Sequence, residues 1–467
     1  MLAVSLKWIA EKVDGVLHGA DITVDSVTTD SRHIESSDLF IALVGPTFNG
    51  HDYVSMAEQK GASAVLVSEP VETKLPQIQV QDTLAALGML GAAIKAEVKP
   101  KTVAITGSSG KTTVKEMVST ILSRRGSVLA TAGNFNNDIG VPLTLLRLEP
   151  QHEFAVIELG ANHLGEIAYT TELVKPDVAT IVNAAASHLE GFGSLFGVAR
   201  AKSEIFKGLN DVGMAVVNHD SQFFQFWEGK LKRQNMQSFS QDGDSSSDFY
   251  ATDITLGLDG CASFLLHTPA GETGVSLSIP GAHNVSNALA AAALAMNVGA
   301  TLEDVRSGLA DMAQVGGRLN VKQLSNQVRV LDDTYNANVA SVKAGIDLLA
   351  SFSGRRVLVL GDMAELGEKA RHYHQEVGEY ALQKGIQQAY SIGVLSQHAS
   401  QVFGENGAHF DSIETLVESL HQLLADEQRD ITILVKGSRS SRMERVTAAI
   451  EASPVGKFER RREKIAC

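Results

Sequence analysis

The stretch Val103-Ala104-Ile105-Thr106-Gly107-Ser108-Ser109-Gly110-Lys111-Thr112-Thr113 runs from an unbroken apolar strand into a glycine-bracketed turn and then into Lys-Thr. Val114, Met117, Val118, Ile121 and Leu122 follow at the three- and four-residue spacing of one helix face. Strand, glycine turn and helix in that order build a phosphate cradle. Glycines let backbone N–H groups turn inward, and the helix N-terminus adds partial positive charge. Gly107, Ser108, Ser109, Gly110 and Thr113 then form the nucleotide-binding loop, Lys111 reaches the β- and γ-phosphates, and the Thr112 hydroxyl is placed for Mg²⁺. The common GxxxxGK(S/T) pattern asks for glycine at position 105, which is Ile105 here, so the loop is a shorter TGxxGKT variant. A chance Gly-Lys-Thr at a strand–helix turn is the competing interpretation.

Around this loop, residues 102–106, 154–159 and 178–183 are continuous apolar runs, as expected for parallel strands covered on both faces. The pattern predicts a central doubly wound sheet. Before it, a helix face (Leu6, Ile9, Ala10, Val13) and short strands at 39–44, 64–67 and 78–80 predict a small N-terminal α/β domain. An Ala-rich helix from 83 to 98 opens the middle domain. Residues 238–275, with the polar turn Ser240-Gln-Asp-Gly-Asp-Ser-Ser-Ser247, predict an antiparallel appendage, and a second Ala-rich helix spans 284–296. Val315-Gly316-Gly317 suggests a hinge, after which strand–helix alternation resumes as a C-terminal Rossmann-like α/β domain. The expected class is therefore α/β in three domains, 1–82, 83–314 and 315–467, in keeping with a length of 467 residues.

With 44% hydrophobic and 20% charged residues, the chain can bury real cores. Forty Lys and Arg against 54 Asp and Glu leave a net charge of −14, which disfavours a nucleic-acid coat or an anionic-membrane binder. Cys261 and Cys467 make neither a disulfide framework nor a zinc array. No apolar run spans a bilayer, and the start Met1-Leu-Ala-Val-Ser-Leu-Lys7-Trp8 lacks signal-peptide order, so a cytoplasmic protein is expected. The run Glu459-Arg-Arg-Arg-Glu-Lys464 suggests a solvated tail.

Three further residues bear on the chemistry. Glu158 ends the strand Phe154-Ala-Val-Ile-Glu158, where ligands of open α/β sheets gather, and Mg²⁺ beside a triphosphate would pair it; a salt-bridged or capping Glu is the alternative. His188, in Ser187-His188-Leu-Glu-Gly-Phe-Gly193, could equally be a packing histidine. Lys202 follows at the start of Ala201-Lys202-Ser-Glu204-Ile205.

The loop Thr106-Gly-Ser-Ser-Gly-Lys-Thr-Thr113 resembles that of the Mur ligases, the ATP-dependent amide-forming enzymes of peptidoglycan synthesis, and of their relative folylpolyglutamate synthase. The resemblance implies ATP, two Mg²⁺ sites, a metal-holding role for His188 and a CO₂-derived carbamate on Lys202. It places Asn136, Asn137 and Asn287 near the adenine, Arg318 near the γ-phosphate and Asp333 on the ribose hydroxyls. Lys111, Glu158, His188, Lys202 and Arg318 are the catalytic set it implies. The segments Leu331-Asp-Asp-Thr-Tyr335-Asn336-Ala337-Asn338, Leu360-Gly361-Asp362-Met363-Ala-Glu365-Leu-Gly367 and Val435-Lys436-Gly437-Ser438-Arg439 are similar to the branch that joins D-alanyl-D-alanine to UDP-N-acetylmuramoyl-tripeptide. Val339 stands where that branch commonly has proline. Asp30-Ser31-Arg32 and Asn49-Gly50-His51-Asp52 resemble the uridine-nucleotide end, which makes Ser31, Arg32 and His51 candidate contacts. Asn336, Asn338, Lys436 and Arg439 are candidates for the dipeptide carboxylate. A monomer is expected. Rival assignments are another amino-acid ligase of the family, a folylpolyglutamate synthase-like enzyme, or a non-catalytic nucleotide switch.

Overall fold

A computed structural model describes residues 1–313 and 316–452. The expected boundary at 314/315, the Val315 end of the hinge, the 459–464 run and Cys467 lie outside the described residues. The architecture is α/β in three domains, each built on its own sheet. In the first, Ser26–Thr28, Asp38–Ile41, Ala64–Val67 and Gln77–Gln79 run parallel, and Val16–His18 closes the edge antiparallel.

The helix Thr83–Val98 leaves that domain. Asp82 starts it by accepting from the N–H groups of Leu84 (2.8 Å) and Ala85 (3.0 Å), satisfying donors that the first turn leaves open. It ends at Lys99, which takes a left-handed φ of 55° before Pro100. The helix packs on Gly140–Leu145 and Glu166–Val174 of the central domain.

The central sheet has nine strands. The phosphate-loop strand Lys101–Thr106 sits between Phe154–Glu158 and Val178–Ile181, with Val128–Ala130 beyond the former and Met214–Asn218 and Asn235–Ser240 beyond the latter, all parallel. Because the chain leaves the middle strand to both sides, the carboxyl ends around Thr106, Glu158 and Ile181 flank a topological switch point, where such sheets bind ligands. The antiparallel segment is present, but it is not a separate appendage. Phe249–Leu256 joins the sheet parallel to Asn235–Ser240, and only then do Cys261–Thr268 and Gly271–Pro280 turn antiparallel. The reason lies in the core: Phe239, Phe249, Phe264, Leu266 and Val275 bury in the same cluster as Val114, Met117, Val118 and Ile121 of the phosphate-loop helix and the Ala-rich helix His283–Asn297.

In the C-terminal sheet, Val328–Asp333, Ile431–Lys436, Arg355–Gly361, Gln388–Ile392 and Gly407–Phe410 are parallel neighbours, with Asn320–Gln323 antiparallel at the edge. Register places Asp333 opposite Lys436 at the strand ends. Among the described residues no helix is long and apolar enough to cross a membrane.

Candidate active site

A cavity of about 570 Å³ lies where the carboxyl ends of the central and C-terminal sheets face each other. Its floor is the phosphate loop. Gly110 takes φ 78°, and a Cβ there would stand 2.7 Å from Asn287 Oδ1, so both conformation and space call for glycine. Ile105, where the longer pattern has its first glycine, is wholly buried in the strand and paired with Glu158. The strand thus runs further before turning, which is the physical form of the shortened motif. Asn183 holds the turn: its Oδ1 accepts from the N–H groups of Ser108 (3.1 Å) and Ser109 (3.0 Å).

The Thr112 hydroxyl donates to Glu158 Oε2 at 2.9 Å, and Asn136 Nδ2 donates to Glu158 Oε1 at 2.9 Å. Glu158 is 3% exposed, so these donors and the Lys111 charge compensate a carboxylate out of water. Lys111 Nζ donates to the Gly107 carbonyl at 2.8 Å. Burial lowers the Lys111 pKa below the ordinary lysine value, Glu158 opposes this, and Arg318 adds to it.

Lys202 ends the helix Leu195–Lys202 and is 2% exposed. Among the described residues its ammonium has no hydrogen-bond or ion-pair partner; it lies 6.0 Å from the Phe192 ring centroid. Burial, then the nearby Lys111, push its pKa well below the usual lysine range. His188, at φ 50°, faces the same cavity, and its Nδ1 pairs with Glu365 of the C-terminal domain. Burial lowers its pKa while Glu365 opposes.

From the other side come Arg318, whose guanidinium lies 4.2 Å from the Tyr335 ring centroid, and Asp333, paired with Lys436. Lys436 Nζ also donates to the Asn336 carbonyl at 3.0 Å. Asn338 caps the helix Val339–Ser351 through Oδ1 and donates from Nδ2 to the Ser108 carbonyl of the phosphate loop at 3.1 Å. Val339 occupies the first helical position, the one that suits proline, so the helix keeps its start without it.

Over its described parts the chain matches three family models: "Mur ligase family, catalytic domain" over 23–108, "Mur ligase middle domain" over 105–295 and "Mur ligase, glutamate ligase domain" over 317–439. It is 49% identical over 451 residues to the UDP-N-acetylmuramoyl-tripeptide–D-alanyl-D-alanine ligase of Escherichia coli K12, covering 97% of this chain and 99% of the relative. The chain belongs to the Mur ligase family. Among solved structures this Mur ligase is similar to MurF from Acinetobacter baumannii, with TM-score 0.92 and 37% identity over 97% of this chain and 99% of that one. It is also similar to the MurF ligase of Thermotoga maritima in complex with ADP, with TM-score 0.82 and 27% identity over 93% and 98%.

The cavity of this Mur ligase brings together Lys111, Thr112, Glu158, His188, Lys202, Asn287, Arg318, Asp333, Asn336, Asn338, Lys436 and Arg439, residues far apart in sequence. Other expected residues have partners within the protein. Asn136 lines the cavity and donates to the Glu158 carboxylate, while Asn137 is outside the lining and its Oδ1 accepts from the Gly140 N–H at 2.8 Å. His51 is a buried structural histidine. Its Nε2 accepts from the Ser68 N–H (2.9 Å) and its Nδ1 lies 2.7 Å from Asn49 Oδ1, so neither ring nitrogen is free for a sugar nucleotide. Ser31 and Arg32 lie outside the cavity, with Arg32 forked onto Asp30 at 2.9 and 2.7 Å. Lys436 has its charge committed to Asp333, and Arg439 pairs with Glu444 at 3.2 Å. Two residues were missed: Asn183, for which an amide just past the strand beside the phosphate loop was the available signal, and Glu365, for which local sequence offers none.

Proposed function

We propose that the chain is an ATP-dependent ligase that joins D-alanyl-D-alanine to UDP-N-acetylmuramoyl-tripeptide, yielding UDP-N-acetylmuramoyl-pentapeptide, ADP and phosphate. The carrying observation is one cavity in which a phosphate loop, a buried carboxylate and a buried amine, unpaired among the described residues, face Arg318 and Asp333 from another domain. A carboxylate is a poor electrophile at neutral pH. Its oxygen therefore attacks the γ-phosphorus of ATP, releasing ADP and leaving an acyl phosphate. The dipeptide amine, having lost a proton, attacks the acyl carbon, and the tetrahedral intermediate collapses with loss of phosphate. Lys111 and Arg318 gather the anions and offset charge at the transferring phosphoryl, so positioning and electrostatics are the catalysis. On this reading Asp333 accepts from the ribose hydroxyls and Asn287 meets the base.

Among the described residues no three His, Cys, Asp or Glu converge on one point. Thr112 and Glu158 nevertheless supply the hard oxygen donors that Mg²⁺ prefers, with triphosphate oxygens completing the shell. A second ion beside His188 fits only if Lys202 is carbamylated, because the free ammonium would repel it. Burial favours the neutral amine that adds to CO₂, and the carbamate would be an oxygen ligand. When bound, Mg²⁺ supplies charge neutralisation at the phosphate oxygens.

The reading gives each domain one substrate: 1–82 the uridine nucleotide, with Ser31 and Arg32 as candidates, 83–314 ATP, and 315–467 the dipeptide, with Asn336 and Arg439 of the cavity lining as candidates. A substrate panel tests the assignment. Phosphate release should require both UDP-N-acetylmuramoyl-tripeptide and D-alanyl-D-alanine. Equal turnover with a free amino acid would assign another ligase activity, and hydrolysis indifferent to any amine would indicate a nucleotide switch.

A further inference from the structure

Residues 361–367 supply nothing to the cavity lining, yet they form a rigid bracket beside it. The Asp362 carboxylate accepts from the N–H groups of Val394 (2.9 Å), Leu395 (3.0 Å) and Ser396 (2.7 Å), and its carbonyl accepts from the Ser438 N–H (2.9 Å). The Met363 N–H donates to His374 Nε2 at 2.9 Å, and the Met363 and Leu366 side chains are buried. What the bracket holds out is Glu365, at φ 61°. Its carbonyl accepts from the Leu189 N–H at 2.9 Å, and its Oε2 makes an ion-pair contact with His188 Nδ1, a buried nitrogen that has no aligned hydrogen bond among the described residues. His188 is itself at φ 50°. The left-handed region costs a residue with a side chain about 1–2 kcal/mol. Here two such residues, one from each domain, meet at one contact, and retained strain of that kind points to function.

We propose that Glu365 is a positioning residue: docking of the C-terminal domain brings its carboxylate onto Nδ1 of His188, fixes the proton there, and leaves Nε2 as the nitrogen with a lone pair to offer. Domain closure and orientation of His188 thereby become one event. A carboxylate behind a histidine sets the ring tautomer and angle and raises the basicity of the other nitrogen. The proposal rests on the assignment of His188 to a Mg²⁺ site. None of residues 361–367 lines the cavity, so Glu365 acts through His188.

The experiment is calorimetric binding of a non-hydrolysable ATP analogue to the full chain across a Mg²⁺ titration. Wild type, Glu365→Gly, Glu365→Gln, His188→Ala and the Glu365→Gly/His188→Ala double variant are compared. Glycine suits φ 61°, so Glu365→Gly should keep or raise the thermal midpoint and exclude misfolding as the cause of any loss. Glu365→Gly should weaken the Mg²⁺ dependence by about 10–100-fold. Glu365→Gln, whose amide oxygen can accept the same proton, should recover most of that loss. In the His188→Ala background, Glu365→Gly should add nothing. Wild-type Mg²⁺ dependence in Glu365→Gly beside a weakened His188→Ala overturns the proposal alone. A loss that persists undiminished in the His188→Ala background also overturns it. Wild-type Mg²⁺ dependence in His188→Ala removes the assignment on which the proposal rests.

Discussion

Replacing Lys202 by methionine should stabilise the protein while disabling it. The side chain is 2% exposed, its ammonium has no hydrogen-bond or ion-pair partner among the described residues, and its nearest aromatic face is 6.0 Å away, at the limit of a cation–π contact. The amine lines the cavity, yet the side chain that carries it is buried, and a polar group so held without a partner costs about 1–3 kcal/mol. Methionine nearly matches the volume, so little of that gain returns as a cavity penalty. The expected outcome is a gain of about 1–3 kcal/mol, read by scanning calorimetry in CO₂-free buffer as a shift of about 2–4 °C per kcal/mol in the central-domain transition. Phosphate release should fall by at least about 10²-fold, the scale of losing one group that organises transition-state charge. Lys202→Ala, which leaves space for a small carboxylate, should regain part of its turnover with formate or acetate; the methionine variant should not. A methionine variant less stable than wild type, or one with full turnover, would refute the reasoning.

Glu158→Gln keeps the shape and lets the Thr112 hydroxyl turn to accept from the new amide while Asn136 still donates, so what it removes is the buried negative charge that faces Lys111 and the metal. Mg²⁺-dependent turnover should drop by about 10²-fold or more, and unchanged kinetics would remove Glu158 from the site. Gly110→Ala forces a Cβ to within 2.7 Å of Asn287 Oδ1 at φ 78°; about 1–2 kcal/mol of strain should appear as a lower midpoint together with weaker nucleotide binding, measured in one titration series. His374 bears on pH. Burial lowers its pKa, with the Ala370 carbonyl and Asp362 opposing and His398 adding to the shift. Between the folded-state pKa and 6.5 the unfolded chain binds more protons. Its contribution is therefore complete above pH 6.5 and is lost as pH falls through that window, at up to roughly 1.4 kcal/mol per pH unit. Thermal midpoints from pH 8 to 5 should fall more steeply in wild type than in His374→Gln, and equal slopes would count against this.

Much of the fold was legible because its signals are local. The helix face Val114, Met117, Val118, Ile121 and Leu122 buries as its spacing requires, and the Ala-rich run after Asp82 is the helix Thr83–Val98. The antiparallel segment was legible as strands but not as part of the central sheet, because edge pairing between Asn235–Ser240 and Phe249–Leu256 depends on a shared core and leaves no periodic mark. Polar side chains were harder still. An asparagine in a loop can close a turn, as Asn137 does, hold a carboxylate, as Asn136 does, or cap a helix and bridge domains, as Asn338 does, and local sequence does not separate these cases. His51 shows the same limit: its ring is consumed by Asn49 and Ser68, the second of them 17 positions away.

By itself, the sequence determined the three α/β units, the phosphate loop with its shortened glycine pattern, and the family, since each is carried by contiguous residues whose spacing suffices. The tertiary structure alone decided which charges meet. It set Asp333 against Lys436 across 103 positions, left the Lys202 amine without a hydrogen-bond or ion-pair partner among the described residues, and brought Glu365 of one domain onto His188 of another. Electrostatic energies depend on distance and on the water displaced, and neither is a property of a linear string until the domains have packed.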